Sequence, residues 1–190
     1  MDNNLKIINY LGKNIKKSFT MHKLSKLTNI PYASFYRTVK QMKDILKIEE
    51  IGKAKTVKLN LTNPIIKSYL TIASEEEKKQ YLKKQPIISK IAGEIQTKDV
   101  VALFGSYANN TQTGPSDVDL LIINKDGKKS VSFSRYELLF KKKINPIFIT
   151  KSEFKQMLKE KEENVGKQVL NNHIILNNPE GFWEVVLNAV

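Results

Sequence analysis

Apolar residues at Leu5, Ile8, Leu11 and Ile15 recur every three to four positions and predict an amphipathic helix near the start of the chain. After Ser18-Phe19-Thr20, where Thr20 suits a cap, a short helix is expected through Leu24 and Leu27, with a break at Thr28-Asn29. Pro31 suits the first turn of a third helix. On that helix Phe35, Val39 and Met42 share one face. Tyr32, Ala33, Ser34, Tyr36, Arg37 and Lys40 fall on or near the other, although Tyr36, next to Phe35, is also a candidate for the core. The pattern then changes to two β-runs, Lys47 to Ile51 and Thr56 to Leu61. The basic loop Gly52-Lys53-Ala54-Lys55 joins them as a hairpin.

Asn63-Pro64 marks a boundary. A helix is expected from Pro64 to Ile72, and Ser74-Glu75-Glu76-Glu77 reads as a capping box that starts another. Pro86 opens a helix to about Gln96, with Ile87, Ile88, Ile91 and Ile95 as its apolar face. Beyond it, Val100 to Phe104 and Leu120 to Ile123 are short continuous apolar runs of the kind buried strands have. Asn124-Lys125-Asp126-Gly127 is a turn, and Ser134 to Phe140 a short helix. Ile144 to Thr150 is a strand that Pro146 confines to a sheet edge or an irregular start. A helix from Ser152 to about Lys161, a short strand or turn at His173 to Leu176 and a final helix from Pro179 complete the order. The organisation expected is residues 1–62, a helical connector over 63–97, and a mixed α/β domain over 98–190. No internal repeat or low-complexity linker interrupts it.

Composition narrows the chemistry. The chain has 190 residues, 41% of them hydrophobic and 27% charged, which suits one or two globular domains. No apolar run has the length of a membrane span, and the start lacks a signal-peptide pattern, so a cytoplasmic location without a membrane partner is expected. With no cysteine and only His22 and His173, neither a thiolate zinc site nor a histidine pair is expected. The net charge of +13 is uneven: residues 1–62 hold 13 Lys and Arg against 4 Asp and Glu, and the remainder 19 against 15. That asymmetry points the first third of the chain toward an acidic partner, with nucleic acid foremost.

The most informative stretch is Gly105 to Ile122, GSYANNTQTGPSDVDLLI. A Gly-Ser turn that leaves a strand for a helix offers backbone N–H groups and a hydroxyl to phosphate. Asp117 and Asp119, two residues apart at the start of a strand, point to one face and can share a hard cation such as Mg²⁺. Gly105, Ser106, Ala108, Ser116, Asp117, Asp119 and Leu120 resemble the GSxARG…SDxDL signature of polymerase-beta-like nucleotidyltransferases, especially the minimal ones. The resemblance implies that Gly105, Ser106 and Ser116 hold an NTP, with ATP foremost, and that Asp117 and Asp119 hold Mg²⁺ and act in catalysis. It implies NMP transfer to a hydroxyl, with pyrophosphate leaving. Such proteins often act as antitoxins, some of them adenylylating a partner toxin with a HEPN domain, so a protein acceptor is implied too.

Two positions depart from that signature. Asn109 stands where an arginine follows Ala108, and the strand Lys143 to Thr150 has Asn145 where active members carry a third acid. A neutral amide cannot accept a proton as a carboxylate does. Glu137 and Asp126 are the nearby acids available to replace it, and Lys141-Lys142-Lys143 is the run available to restore positive charge. The competing reading is a transcriptional regulator whose degenerate nucleotidyltransferase domain binds nucleotide or a protein without turnover.

Residues 3–62, three helices followed by a basic hairpin, resemble a winged helix-turn-helix domain, with Leu24 to Met42 as the two-helix reader. The resemblance implies binding of double-stranded DNA. Tyr32, Ser34, Tyr36 and Arg37 would face bases, and Lys40, Lys53 and Lys55 would contact phosphates. Modification of RNA ranks lower, because such a motif reads duplex DNA.

Overall fold

The computed structural model describes residues 1–52 and 54–190. Lys53, expected above to contact phosphate, lies outside them. The chain divides into two compact units, Met1–Glu76 and Glu77–Val190. Among the described residues they hold ten helices and two sheets, a mixed α/β architecture. No helix among these residues is long and apolar enough to cross a membrane.

The first unit opens with α1 (Asn3–Lys13), β1 (Phe19–Thr20), α2 (Met21–Leu27) and α3 (Tyr32–Gln41). Thr20 caps α2 by accepting the Lys23 N–H at 3.3 Å. The helix stops at Thr28, whose hydroxyl donates to the Leu24 carbonyl at 2.8 Å, and at Asn29 with φ of 52°. Pro31 stands just before α3 rather than in its first turn. Phe35 and Val39 are fully buried, as are Ile7, Ile8 and Leu24, and Tyr36 stays half-exposed at the surface. β2 (Leu46–Ile51) and β3 (Ala54–Leu59) form the expected hairpin, and β1 pairs with the far side of β3 to give the order β1-β3-β2, all antiparallel. Ala54 pairs with Ile51 and Lys55 with Glu50, so both are ladder residues and not loop residues.

One expectation fails next. Ser74 does not begin a helix: α4 runs unbroken from Ile66 to Leu82. Ile66, Leu70, Ala73, Ser74 and Tyr81 are all buried at helical spacing, so a continuous buried stripe carries the helix through the supposed cap. Glu75, Glu76 and Glu77 are therefore interior helix positions.

The second unit continues with α5 (Pro86–Gly93), β4 (Val100–Phe104), α6 (Gly105–Asn109), β5 (Val118–Asn124), α7 (Ser134–Phe140) and β6 (Ile144–Thr150). It ends with α8 (Lys151–Lys159), α9 (Val165–Asn171), β7 (Ile174–Asn177) and α10 (Pro179–Leu187). The sheet order is β6-β5-β4-β7, with β4 antiparallel to both neighbours and β6 parallel to β5. All of β4 and nearly all of β5 are buried, which explains their continuous apolar runs. Pro146 lies on an edge strand, where a missing donor costs no ladder bond. The sequence pattern did not foresee α9. Its Gly166 lets it approach α8 closely, since a Cβ there would stand 2.7 Å from the Met157 Cβ. His173 is fully buried against Phe182 and Trp183, ring centroids 4.7 and 5.7 Å away, so this imidazole serves the core.

At the end of β6, Thr150 and Glu153 form a reciprocal capping box on α8. Backbone and hydroxyl donors from Thr150 hold the Glu153 carboxyl below its usual range. Replacing Thr150 with Ala is expected to destabilise the second unit by about 1 kcal/mol in denaturant unfolding at neutral pH. A depressed carboxyl adds stability above its unfolded pKa and loses it as pH falls through the folded value. Glu153→Gln is therefore expected to flatten the acid side of the stability–pH curve measured by thermal unfolding.

Candidate functional site

The antiparallel register sets Phe104, the last residue of β4, opposite Asp119 near the start of β5. The chain leaves β4 through Gly105 at φ of +68° and enters α6 directly. Two constraints select glycine at this point. The positive φ disfavours a side chain, and a Cβ would lie 2.4 Å from Asp119 Oδ2. The backbone of the Gly-Ser turn is thus pressed against one carboxylate of the aspartate pair. α6 is closed by Asn110 at φ of 55°, by the Thr111 N–H donating to Ser106 O at 3.0 Å, and by Asn109 Nδ2 donating to Gly105 O at 3.0 Å. Tyr107 and Ala108 anchor it in the core, and the Tyr81 hydroxyl donates to Tyr107 O at 2.9 Å. Burial raises the Tyr81 phenol, which keeps it a donor.

Asp119 lies in β5 and Asp117 just before it, outside the strand the spacing suggested for both, and the two carboxylates converge on one group. Asn145 pairs with Asp119 in the parallel β5–β6 register, and its Nδ2 donates to Asp117 Oδ2 at 3.1 Å and to Asp119 Oδ1 at 3.3 Å. Ionised carboxylates only accept, so the amide nitrogen must face them. Lys143 Nζ lies 3.7 Å from the same Asp117 Oδ2. Ser116 sits beside the pair, but its hydroxyl accepts the Thr113 N–H at 2.8 Å and so shapes the turn before β5. Lys142 reaches across that turn to Gly114 O. The lysine run thus includes two residues that brace the site, a role its sequence does not announce.

Neither acid named as a replacement joins the pair. Glu137 Oε1 accepts the Ile144 N–H at 2.9 Å and holds the start of β6. Asp126 lies in the Asn124 turn, where its N–H donates to Asn124 Oδ1 at 3.1 Å. That turn is at the other end of β5, roughly 20 Å from Asp119 at about 3.3 Å per strand residue. Among the described residues, no group of three His, Cys, Asp or Glu is placed to hold a metal ion. Two carboxylates still suit Mg²⁺, which commonly takes one or two protein carboxylates and completes its shell with substrate phosphates and water. A caged structural ion would not fit here.

In the first unit, the exposed side of α3 carries a row of rings and charge. His22 lies 5.8 Å from Tyr32, Tyr32 lies 6.4 Å from Tyr36, and Lys40 Nζ stands 4.7 Å above the Tyr36 ring. Lys40 holds the Tyr36 phenol below its usual range. Arg37 is exposed on the same helix and Ser34 is half-exposed. Lys55 is ion-paired to Glu50 at 3.3 Å across the hairpin. His22 was not singled out in the sequence, because only the fold brings α2 beside Tyr32.

Residues 86–175 match the family model of the nucleotidyltransferase domain, which spans α5 to β7 and includes every residue of the carboxylate site. No curated protein and no solved structure matches the chain. Residues 86–175 are thus similar to nucleotidyltransferase domains, whose general chemistry is transfer of a nucleoside monophosphate from an NTP with a divalent metal.

Gly105→Ala is expected to cost about 1–3 kcal/mol in denaturant unfolding, from backbone strain and the collision with Asp119. The cost should be smaller in an Asp119→Ala background, since the colliding oxygen is gone. Additive losses in this double-mutant cycle would show that the close approach is not what selects glycine.

Proposed function

We propose that the second unit transfers a nucleoside monophosphate, with ATP as the first donor to try, to a hydroxyl on a partner protein. The observation that carries this reading is the convergence of Gly105, Asp117 and Asp119 at one end of the sheet, within the matched domain. The acceptor oxygen bonds to the α-phosphorus, the bond to the bridging oxygen breaks, and pyrophosphate leaves. Gly105 lets the backbone of the turn approach phosphate without a side chain between them, and the Ser106 hydroxyl is available to orient it. Asp117 and Asp119 would hold Mg²⁺, which supplies neutralisation of phosphate charge and acidifies the attacking hydroxyl. Asn145 cannot take that proton, so it passes to one of the two carboxylates or to water.

Residues 1–62 are read as a winged helix-turn-helix that binds double-stranded DNA, with 63–97 as connector and 98–190 as the nucleotidyltransferase body. Support comes from the charge excess in this part of the chain, from the hairpin after three helices, and from the exposed Tyr32, Ser34, Tyr36, Arg37 and Lys40 on α3. On this reading Tyr32, Ser34, Tyr36 and Arg37 would face bases, and Lys40 and Lys55 would contact phosphates. An antitoxin role, with a HEPN-type toxin as acceptor, is the form of this proposal that the family resemblance favours.

A second reading rests on Asn145: with an amide opposite Asp119, the domain binds nucleotide or a partner and does not turn over. Incubation with labelled ATP, Mg²⁺ and candidate acceptor proteins separates the two. Transfer that falls roughly a hundredfold or more in Asp117→Asn and Asp119→Asn supports the enzyme, on the scale expected when one electrostatic group leaves a preorganised site. An inert wild type beside an active Asn145→Asp variant supports the regulator. For DNA, affinity should fall steeply with salt and drop in Arg37→Ala, measured by fluorescence anisotropy on duplex fragments. Salt-independent binding, or none at low ionic strength, would sink the DNA assignment.

A further inference from the structure

The two carboxylates are engaged by side chains of the neighbouring strand region. Asn145 Nδ2 bonds to both, and Lys143 Nζ approaches the Asp117 oxygen that Asn145 also contacts. The amide has two hydrogens, one for each carboxylate, and no third acceptor is needed to satisfy it. Asn145 lies in the edge strand β6 and Lys143 just before it, fixed by the parallel register of Asp119 with Asn145 and by the Val118 N–H donating to Lys143 O at 2.9 Å. Like charges facing one another repel, and here the Asn145 amide dipole faces both carboxylates while the Lys143 ammonium group faces Asp117.

We propose that Asn145, aided by Lys143, is a positioning residue that stands in for a cation at this pair, so that metal and nucleotide load together. A divalent ion arriving alone must displace both donors and gains only two carboxylates in return. An ion arriving with a triphosphate brings phosphate oxygens as further ligands, and these offset the lost hydrogen bonds. The amide is then a competitor of the ion and not one of its ligands. This inference rests on the reading of Asp117 and Asp119 as the cation site, and it adds the order in which that site fills.

Titration of the full-length protein with Mn²⁺ alone, followed by the electron paramagnetic resonance signal of the free ion, tests the idea without any turnover. Asn145→Ala and, separately, Lys143→Ala are each expected to bind Mn²⁺ more tightly than wild type without nucleotide. The gain expected for Asn145→Ala is about tenfold, the scale of a lost hydrogen bond to a charged group. Lys143 is largely exposed, with 69% of its side chain accessible, so its removal does not endanger folding. Adding ATP should tighten Mn²⁺ binding most in wild type and least in Asn145→Ala. Weaker or unchanged binding in Asn145→Ala would make the amide a ligand or a bystander and overturn the proposal. Mn²⁺ binding that survives Asp117→Asn and Asp119→Asn in every background would overturn the cation-site reading beneath it. Tighter binding in both alanine variants with no transfer to any acceptor would leave this inference standing while the enzyme reading fails.

Discussion

The close approach of the Gly105 backbone to the Asp119 carboxylate is the constraint on which the candidate site of the second unit depends. It exists because β4 and β5 are antiparallel, so the residue that ends one strand lies opposite a residue near the start of the other. The Gly-Ser turn and the carboxylate proposed to hold a cation are thereby brought together by strand pairing alone. Their chain separation of fourteen positions is spanned by α6 and a turn that Ser116 and Thr113 tie down. The parallel addition of β6 then brings Asn145 to the same place. Three segments meet at one corner of the sheet, and each is fixed by ladder hydrogen bonds rather than by a flexible loop.

Electrostatics at this corner follow from that arrangement. Among the described residues no histidine or third acid joins the two carboxylates, so on their own they would hold a cation weakly, in keeping with the proposed joint arrival of ion and substrate. The bracing by Lys142 and Lys143 shows how a lysine run that reads as a solvated surface acquires structural work once a turn folds beneath it. The same distinction applies on α3. Lys40 is not simply exposed charge, because it lies over the Tyr36 ring and biases that phenol toward ionisation.

Much of this was legible before any coordinates. β4, α7 and β6 have the limits that their apolar runs and turn residues indicated, and Pro146 correctly marked an edge. The Asp117–Asp119 pair was found from an i, i+2 spacing whose meaning is purely geometric. What stayed hidden has identifiable causes. Ser74 followed by Glu77 imitates a cap, and only the buried stripe from Ile66 to Tyr81 shows that the helix runs on. α9 escaped because its few apolar residues sit in a polar stretch and its decisive feature, the contact of Gly166 with Met157, is tertiary. Ala54 and Lys55 look like loop residues until Ile51 is known to pair with Ala54. The fate of Glu137 and Asp126 was likewise a question of three-dimensional distance, which spacing in the chain does not answer.

The placement of β7 bears on how the protein is made. β4 lies inside the sheet only because β7, some seventy residues later, pairs along its outer side. During synthesis the turn at Gly105 and the strands that carry Asp119 and Asn145 are complete well before residues 174–177 leave the ribosome. For that interval β4 is an unpaired edge of five apolar residues, the kind of edge that invites pairing with another chain. The residues of the candidate site thus precede in the chain the strand that covers their exposed sheet edge.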